Sequence, residues 1–543
     1  MSNPPGKIAG ILDLTPLQQG MLVLATDADS ANGDPYIIQT WGTLRGLTDI
    51  TRFEAAWQSL IQRHAALRSA FVFQGQAQPR QVVLREALAP VQVQDCRELA
   101  EGARQAHMNA WHAQDLQAGF NMTRPPLARI ALFRTSIDEW QFLLTHHHLI
   151  LDGWSVAVLF ADLQQLLAGD ALTTEAIGPE VISPRLADAA KAAGDPFWRA
   201  MLASWSPPDL GDTVRSGDVG VGASRLRQTL PTYVVTTVRE TARRLGVTPA
   251  AVTAAAWLLA LCRSSGQRRV TTGVTTSGRA EDVASQCAVG MFVNTLPLCI
   301  ELHSGETLDA FVRRVAGLWR GLVERDQTDI AALRPVAGAS AGQPLFDALL
   351  AFEIFPQTPT QTTGVQIQAK GSHERTNLAT ALIVIPELQQ WRLELQIEHA
   401  RMSPDQAGQL LGLLGQTTEL FVRPGTVAVD EAWMRLGEGQ TVRAVAPTLL
   451  PASTPRDLLA WWSASLQASP DSVATRDGAR TLTRRQLDQL SRRCAAALTQ
   501  NGVRRRAWQR CQGWPAGWHS TRLASRAACL LAVAWAQLRA PFG

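Results

Sequence analysis

From about residue 14 to 435, stretches that alternate apolar and polar residues every second position trade places with stretches whose apolar residues recur every third or fourth. The first spacing is that of a half-buried strand and the second that of an amphipathic helix, so the interleaving predicts mixed α/β structure. In "TRFEAAWQSLIQRHAALRSAFV", Phe53, Trp57, Leu60, Ile61 and Leu67 fall at helical spacing, with Thr51 as the predicted N-cap. "WQFLLTHHH" reads as a strand, and "GWSVAVLFADLQQLLAGD" as an amphipathic helix stopped near Gly169. A loose stretch, roughly 170–195, separates this half from a second. That half opens with helical "DPFWRAMLASW", continues with the Ala-rich helix "TPAAVTAAAWLLALCRSSG", and has strands around "RRVTTGVTTSGR" and "VGMFVNTLPLCIEL". A proline-containing connector, "VAPTLLPASTP", precedes a short third piece.

Composition narrows the class. A chain of 543 residues is too long for one core, which suggests three or so folding units. The net charge of +4 is small, and the absence of a Lys/Arg run argues against a nucleic-acid partner. Basic residues are nearly all Arg, with Lys only at Lys7, Lys191 and Lys370, a bias that fits a GC-rich coding sequence. The cysteines (Cys96, Cys262, Cys287, Cys299, Cys494, Cys511, Cys529) form no C-x-x-C pair, against a zinc ribbon or disulfide framework and in keeping with a reducing cytosol. The N-terminus has no apolar signal core, and no run of about eighteen apolar residues would span a membrane, so the expected location is the cytoplasm, with no membrane partner. From Arg504 onward there are seven Arg, four Trp and no Asp, Glu or Lys. Such a tail can bind nucleic acid or membrane, but the reading taken is an aberrant, out-of-frame or disordered end at 504–543.

The candidate chemistry sits in "FLLTHHHLILDGWSV". On a strand His146 and His148 share a face with Phe142 and Leu144, while His147 points the other way. Asp-Gly-Trp-Ser then forms the strand-to-helix turn, with Asp152 as a helix N-cap or buried ion-pair partner and Gly153 permitting close backbone approach. A neutral imidazole exposed at a strand end can take a proton from an attacking nucleophile. The bland alternatives are a hydrogen-bonded core histidine and a simple cap. Adjacent histidines on a strand diverge, and no second His/Cys cluster lies near, so no metal site is expected.

Residues 147–153 read H-H-x-x-x-D-G, and the chain thereby resembles the condensation domains of nonribosomal peptide synthetases, which are similar in fold to chloramphenicol acetyltransferase and carnitine-type acyltransferases. Further stretches resemble that family's motifs in the same order: "LTPLQQGML", "RHAALRSAF" (with Ala65 where an acid is usual), "RPPLARIALF", "SGR" (277–279), "VGMFVNTLPL" and "PLFDALLAFE". Together they cover about residues 12–435. "ERDQTDIAALRP" matches only loosely, and the stretch before "FWRAML" lacks the common Tyr-rich version.

The resemblance implies an α/β fold of two chloramphenicol acetyltransferase-like lobes forming a V with a central tunnel. The lobes are expected at 1–180 and 181–440, followed by a linker at 441–455 and, at 456–503, a truncated adenylation-domain start carried by "DSVATRDGARTLTRRQLDQLSRRCAAAL". It implies an acyltransferase that forms a peptide bond, the amine of one carrier-bound aminoacyl group attacking an upstream acyl or peptidyl thioester. Epimerisation, coenzyme A-dependent acyl transfer and inactive carrier docking are the rival functions. His148 is the implied catalytic residue, with Asp152 and Gly153 shaping its loop. Arg68, then Arg63, is the expected ion-pair partner of Asp152. His147, Trp154, Phe292 and Asn294 are expected as supporting or tunnel-lining residues, Asn294 divided between backbone support and function. No cofactor is expected to be covalently bound. Substrates would arrive on phosphopantetheine arms of upstream and downstream peptidyl carrier proteins acting in trans, and adenylation activity is expected to be absent.

Overall fold

The computed structural model describes residues 7–25, 34–73, 75, 78–182, 186, 194–208, 223–279, 282–340, 343–354, 364–387, 390–422, 427–436, 462, 466–477 and 480–500. They belong to two units, Met1–Glu438 and Gly439–Gly543. The linker expected at 441–455 and the tail from 504 lie outside the described residues, as do Lys191, Cys511 and Cys529.

In the first unit the early strands are β1 (Ile8–Asp13), β2 (Ile37–Arg45), β3 (Ser69–Val72), β4 (Arg80–Leu84), β5 (Gln92–Asp95), β6 (Ala128–Arg134) and β7 (Glu139–His147). The later ones are β8 (Ala223–Leu230), β9 (Arg269–Thr276), β10 (Asn294–Glu301), β11 (Ala348–Phe352), β12 (Gln366–His373), β13 (Thr380–Pro386) and β14 (Trp391–Glu398). They build a five-stranded sheet of order β12-β2-β7-β6-β5, a six-stranded sheet of order β10-β9-β11-β13-β14-β8, and a small sheet of order β1-β4-β3. The large sheets are mixed: β5 runs parallel to β6, and β11 parallel to both β9 and β13.

The histidine strand β7 sits in the middle of the five-stranded sheet, between β2 and β6. Trp140, Phe142 and Leu144 enter one apolar cluster and Leu143 another, so both faces are covered and the strand reads as a nearly continuous apolar run. The chain then turns into the helix Gly153–Ala168, which buries Leu159, Leu163 and Leu167 and ends at Gly169, whose φ of 91° is a left-handed C-cap.

Two local expectations change. The helix over "TRFEAAWQSLIQR" starts one residue before Thr51, at Ile50, because Asp49 is the N-cap and accepts the Thr51 N–H. It ends at Arg63; Leu67 lies in a separate 3-10 turn, Ala65–Arg68, that leads into β3. The boundary expected at residue 180 is also crossed. β12 belongs to the second half of the chain, yet it pairs antiparallel with β2, His373 opposite Gln39. The close approach it needs is visible at Gly42, where a Cβ would press on the β12 backbone at Ala369 and on the Phe142 ring.

The second half has its own core around the helix Pro249–Ser265, in which Ala251 to Cys262 are all buried. Among the described residues no single helix is long and apolar enough to cross a membrane. In the second unit, the strands Val473–Asp477 and Arg480–Thr483 form an antiparallel hairpin followed by the helix Arg484–Gln500. There Trp462 packs with Leu487 and donates its indole N–H to Asp488, 3.1 Å away.

Candidate functional site

Beyond the end of β7, the three histidines have different surroundings. His147 is fully buried: its Nε2 lies 2.9 Å from Asp34 Oδ2, and its Nδ1 accepts the Leu149 N–H at 3.0 Å. The second contact fixes the tautomer, so Nε2 carries the hydrogen and donates to Asp34. His146 is buried, and its Nδ1 has no hydrogen-bond partner. His148 alone opens outward, its side chain 17% exposed. Its Nδ1 lies 2.7 Å from the Leu151 carbonyl oxygen, which can only accept, so a neutral His148 ring carries its hydrogen on Nδ1 and presents a lone pair on Nε2. The Glu374 carboxylate is 3.7 Å from that Nε2.

The turn that presents the ring is clamped from the other half of the molecule. Asp152 caps the helix Gly153–Ala168 by accepting the Ser155 N–H at 2.7 Å. Its carboxylate also receives Arg279 Nη2 at 3.0 and 3.2 Å and the Phe292 N–H at 3.1 Å. Both side chains are essentially buried, 0% exposed for Asp152 and 1% for Arg279. The second Arg279 amino group donates to the Ser285 and Ala288 carbonyls, both at 2.8 Å. The guanidinium lies over the Phe292 ring, 4.3 Å from its centroid, and 5.7 Å from that of Trp154. Ser155 completes the clasp, donating to the Gly290 carbonyl at 2.7 Å and accepting from the Gly290 N–H at 3.0 Å. Just before the arginine, Gly278 has φ +64°, and a Cβ there would run into the Phe292 carbonyl.

A reachable imidazole base on a turn locked by a buried Asp–Arg pair is a site for proton transfer during acyl transfer. Residues 8–432 match the family model described as the condensation domain. This chain belongs to the condensation-domain family. The condensation domain is 27% identical over 513 residues to a linear gramicidin synthase of Brevibacillus parabrevis, covering 91% of this chain and 10% of that protein. It is 30% identical over 366 residues to chondramide synthase of Chondromyces crocatus, covering 65% of this chain and 9% of that one. The chain thus spans about a tenth of the length of these curated relatives. In fold it is similar to the condensation domain of a monacolin K polyketide synthase, with TM-score 0.64 at 18% identity over 78% of this chain and 100% of that one. A four-domain nonribosomal peptide synthetase gives TM-score 0.66 at 15% identity over 93% of this chain and 40% of that one. The family forms amide bonds and acts on substrates carried on phosphopantetheine arms.

The condensation domain brings His147, His148, Asp152, Gly153, Trp154 and Phe292 together, and leaves three expected residues elsewhere. The arginine on Asp152 is Arg279, not Arg68 or Arg63. Arg68 donates to the Ile61, Leu84 and Arg85 carbonyls, tying its turn to β4. Arg63 reaches Asp162 at 3.3 Å and the Thr174 carbonyl at 2.6 Å. Both arginines follow the helix that packs on Gly153–Ala168, so they brace elements around the site rather than the turn itself. Asn294 is buried with both amide hydrogens directed at the Asp326 and Thr328 carbonyls, 2.8 and 2.9 Å away, which is backbone support. Trp154 donates its indole N–H to the Gln286 carbonyl at 2.8 Å and so belongs to the clasp. Gly153 is exposed at the first position of its helix. Arg279, Ser155, Asp34 and Glu374 were not picked out from the sequence. Among the described residues no His/Cys/Asp/Glu group is arranged to hold a metal ion.

His146 gives the domain an acid-sensitive spot. Burial, then the neighbouring His148 and His147, holds its pKa down to about 3. The unfolded chain binds a proton there below about pH 6.5, and the folded chain refuses it down to about 3. Stability is therefore full above the unfolded value and is lost as the pH falls through that window. Between pH 7 and pH 5 the loss expected from this one group is about 2 kcal/mol. Urea denaturation at the two pH values checks it: His146→Gln should lose less than the parent, and equal losses would place the acid sensitivity elsewhere.

Proposed function

We propose that this condensation domain joins two carrier-bound thioesters through an amide bond, with His148 as the catalytic base. The observation that carries the reading is the hydrogen bond from His148 Nδ1 to the Leu151 carbonyl, which leaves Nε2 as the proton acceptor on the exposed side of the ring. In the reaction the acceptor amine attacks the donor thioester carbonyl and Nε2 takes a proton from the amine. The same nitrogen then protonates the departing thiolate. A positioned base supplies about two to four powers of ten, and the tethering of two substrates supplies much of the rest. Asp152 and Arg279 hold the turn at its working geometry. His147, Trp154 and Phe292 support it, and Gly153 keeps side-chain bulk away from the start of the helix.

In this reading the two large sheets belong to two acetyltransferase-like lobes, residues 1–180 and 181–440 with β12 exchanged, set in a V whose tunnel admits a phosphopantetheine arm from each side. Upstream and downstream peptidyl carrier proteins act in trans, and the domain works in the cytoplasm, in keeping with the free thiols of Cys96, Cys262, Cys287 and Cys299. We also assign the second unit, whose described part is a hairpin followed by one helix, to the opening of an adenylation domain without ATP chemistry of its own.

The test supplies the protein with one carrier loaded with a donor acyl group and a second loaded with an aminoacyl acceptor, and weighs both carriers by mass spectrometry. The expected result is the donor acyl group transferred to the acceptor carrier. Stereochemical scrambling of a single carried residue would instead support epimerisation. Turnover with free acyl-CoA would support a soluble-thioester acyltransferase, and carrier binding with no product from any pair would support docking alone.

A further inference from the structure

Glu374 reaches the histidine by way of the exchanged strand. In the β12–β2 register His373 lies opposite Gln39, so the next residue arrives level with Ile38, whose partner on β7 is His146. The backbone there is anchored from the six-stranded sheet. Arg225 of β8 donates to the Ser372 carbonyl at 2.8 Å and to the Glu374 carbonyl at 2.6 Å, and lies 3.6 Å from Glu394 of β14. The arginine thus spends its donors on main-chain oxygens, and the Glu374 carboxylate is turned to His148 Nε2 at 3.7 Å. That distance is beyond the roughly 3.2 Å limit of a good N–H···O bond, so the pair is not closed on itself. Both side chains are partly exposed, 17% for His148 and 35% for Glu374.

Amide formation needs a neutral amine, yet a resting α-amino group is about half or more ammonium near pH 7.7 and below. Two protons must therefore leave the acceptor nitrogen, and one imidazole takes one. We propose that Glu374 binds the α-ammonium of the acceptor aminoacyl thioester and removes its first proton, leaving Nε2 of His148 for the second. The assignment rests on the amide-forming reading above. The ammonium N–H bond breaks as the Glu374 O–H bond forms, and the freed lone pair attacks the donor carbonyl carbon. The second proton passes from nitrogen to His148, the C–S bond breaks with its electron pair on sulfur, and His148 returns that proton to the thiolate. Glu374 gives its proton to solvent. Amide, thiol and one released proton balance thioester and ammonium.

The surroundings suit one negative charge there. The groups around Glu374 are His148, His373 and Arg375, Arg225 from β8, Glu353 beyond β11, and Glu394 and Arg392 on β14. Burial, then the charges of Glu374 and Glu394, pushes the Glu353 carboxyl up to about 8, so it is neutral at pH 7 and does not compete for the cation.

The experiment compares the parent with Glu374→Gln and Glu374→Asp on two acceptors of equal size, an α-aminoacyl and an α-hydroxyacyl thioester on the same carrier. Glu374→Gln is expected to slow amide formation about tenfold to a hundredfold at pH 7, with the deficit shrinking toward about pH 8 as free amine accumulates. Ester formation with the hydroxyl acceptor should change little, and Glu374→Asp should recover part of the amide rate. A deficit equal on both acceptors and at every pH, or no deficit at all, overturns the assignment. A parent that makes no amide or ester fails the underlying reading before any variant is compared, and the assignment falls with it.

Discussion

His148→Ala should take the transfer of donor acyl group to the acceptor carrier down by about two to four powers of ten, close to the uncatalysed background. The size of the loss follows from geometry. The ring makes one hydrogen bond to its own turn, from Nδ1 to the Leu151 carbonyl at 2.7 Å, and its side chain is partly exposed, so truncation removes the base while leaving the turn's other anchors intact. Those anchors include the His148 N–H to the Tyr36 carbonyl at 2.8 Å and the Asp152 N–H to the Gly290 carbonyl at 3.2 Å. The variant is therefore expected to melt close to the parent while losing kcat, with donor and acceptor KM little moved. His147→Ala should behave the other way. It deletes a fully buried ring bonded to Asp34 and to the Leu149 N–H, so its first effect is on folding. Retention of more than about a tenth of parental product by well-folded His148→Ala would sink the assignment of the base.

The second large effect is on stability. Arg279→Met should destabilise the domain by about 3–5 kcal/mol, because it leaves the Asp152 carboxylate buried without its counter-charge. It also strips the Ser285 and Ala288 carbonyls of their donor. Pairing it with Asp152→Asn should return part of the loss, since the asparagine no longer brings a buried charge, and the non-additivity measures the coupling across the halves. Arg68→Ala and Arg63→Ala act on carbonyls and on partly exposed partners, and should each cost less. Urea midpoints of the four variants give the ranking. A larger loss from Arg68→Ala than from Arg279→Met would contradict the observed pairing.

Much of this was readable in the chain. β7, the helix Gly153–Ala168 and its Gly169 stop follow from apolar spacing and cap chemistry, which are local. The helix after Asp49 was found but started one residue late, because Thr51 and Asp49 are both good caps and only the observed hydrogen bond decides between them. Asp152 was correctly read as a cap and as one half of an ion pair. Its partner was missed because the two residues are 127 positions apart. A search from the sequence favours an arginine nearer in the chain, and "SGR" gave no sign of where its last residue points. Asn294 could not be resolved either, since its role depends on carbonyls more than thirty positions away. Glu374 carried no pattern at all. It matters because β12 leaves its own half, and nothing in an eight-residue strand of mixed polarity announces which sheet edge it will join.

That exchanged strand also limits how such domains can be shuffled. A chimera spliced at residue 180 would lay β12 of one parent along β2 of another, and would seat a foreign residue at position 374 beside the resident His148. Breeding new synthetases by recombination should therefore treat 37–45 and 366–374 as a single heritable block, even though more than three hundred positions of chain divide its two parts.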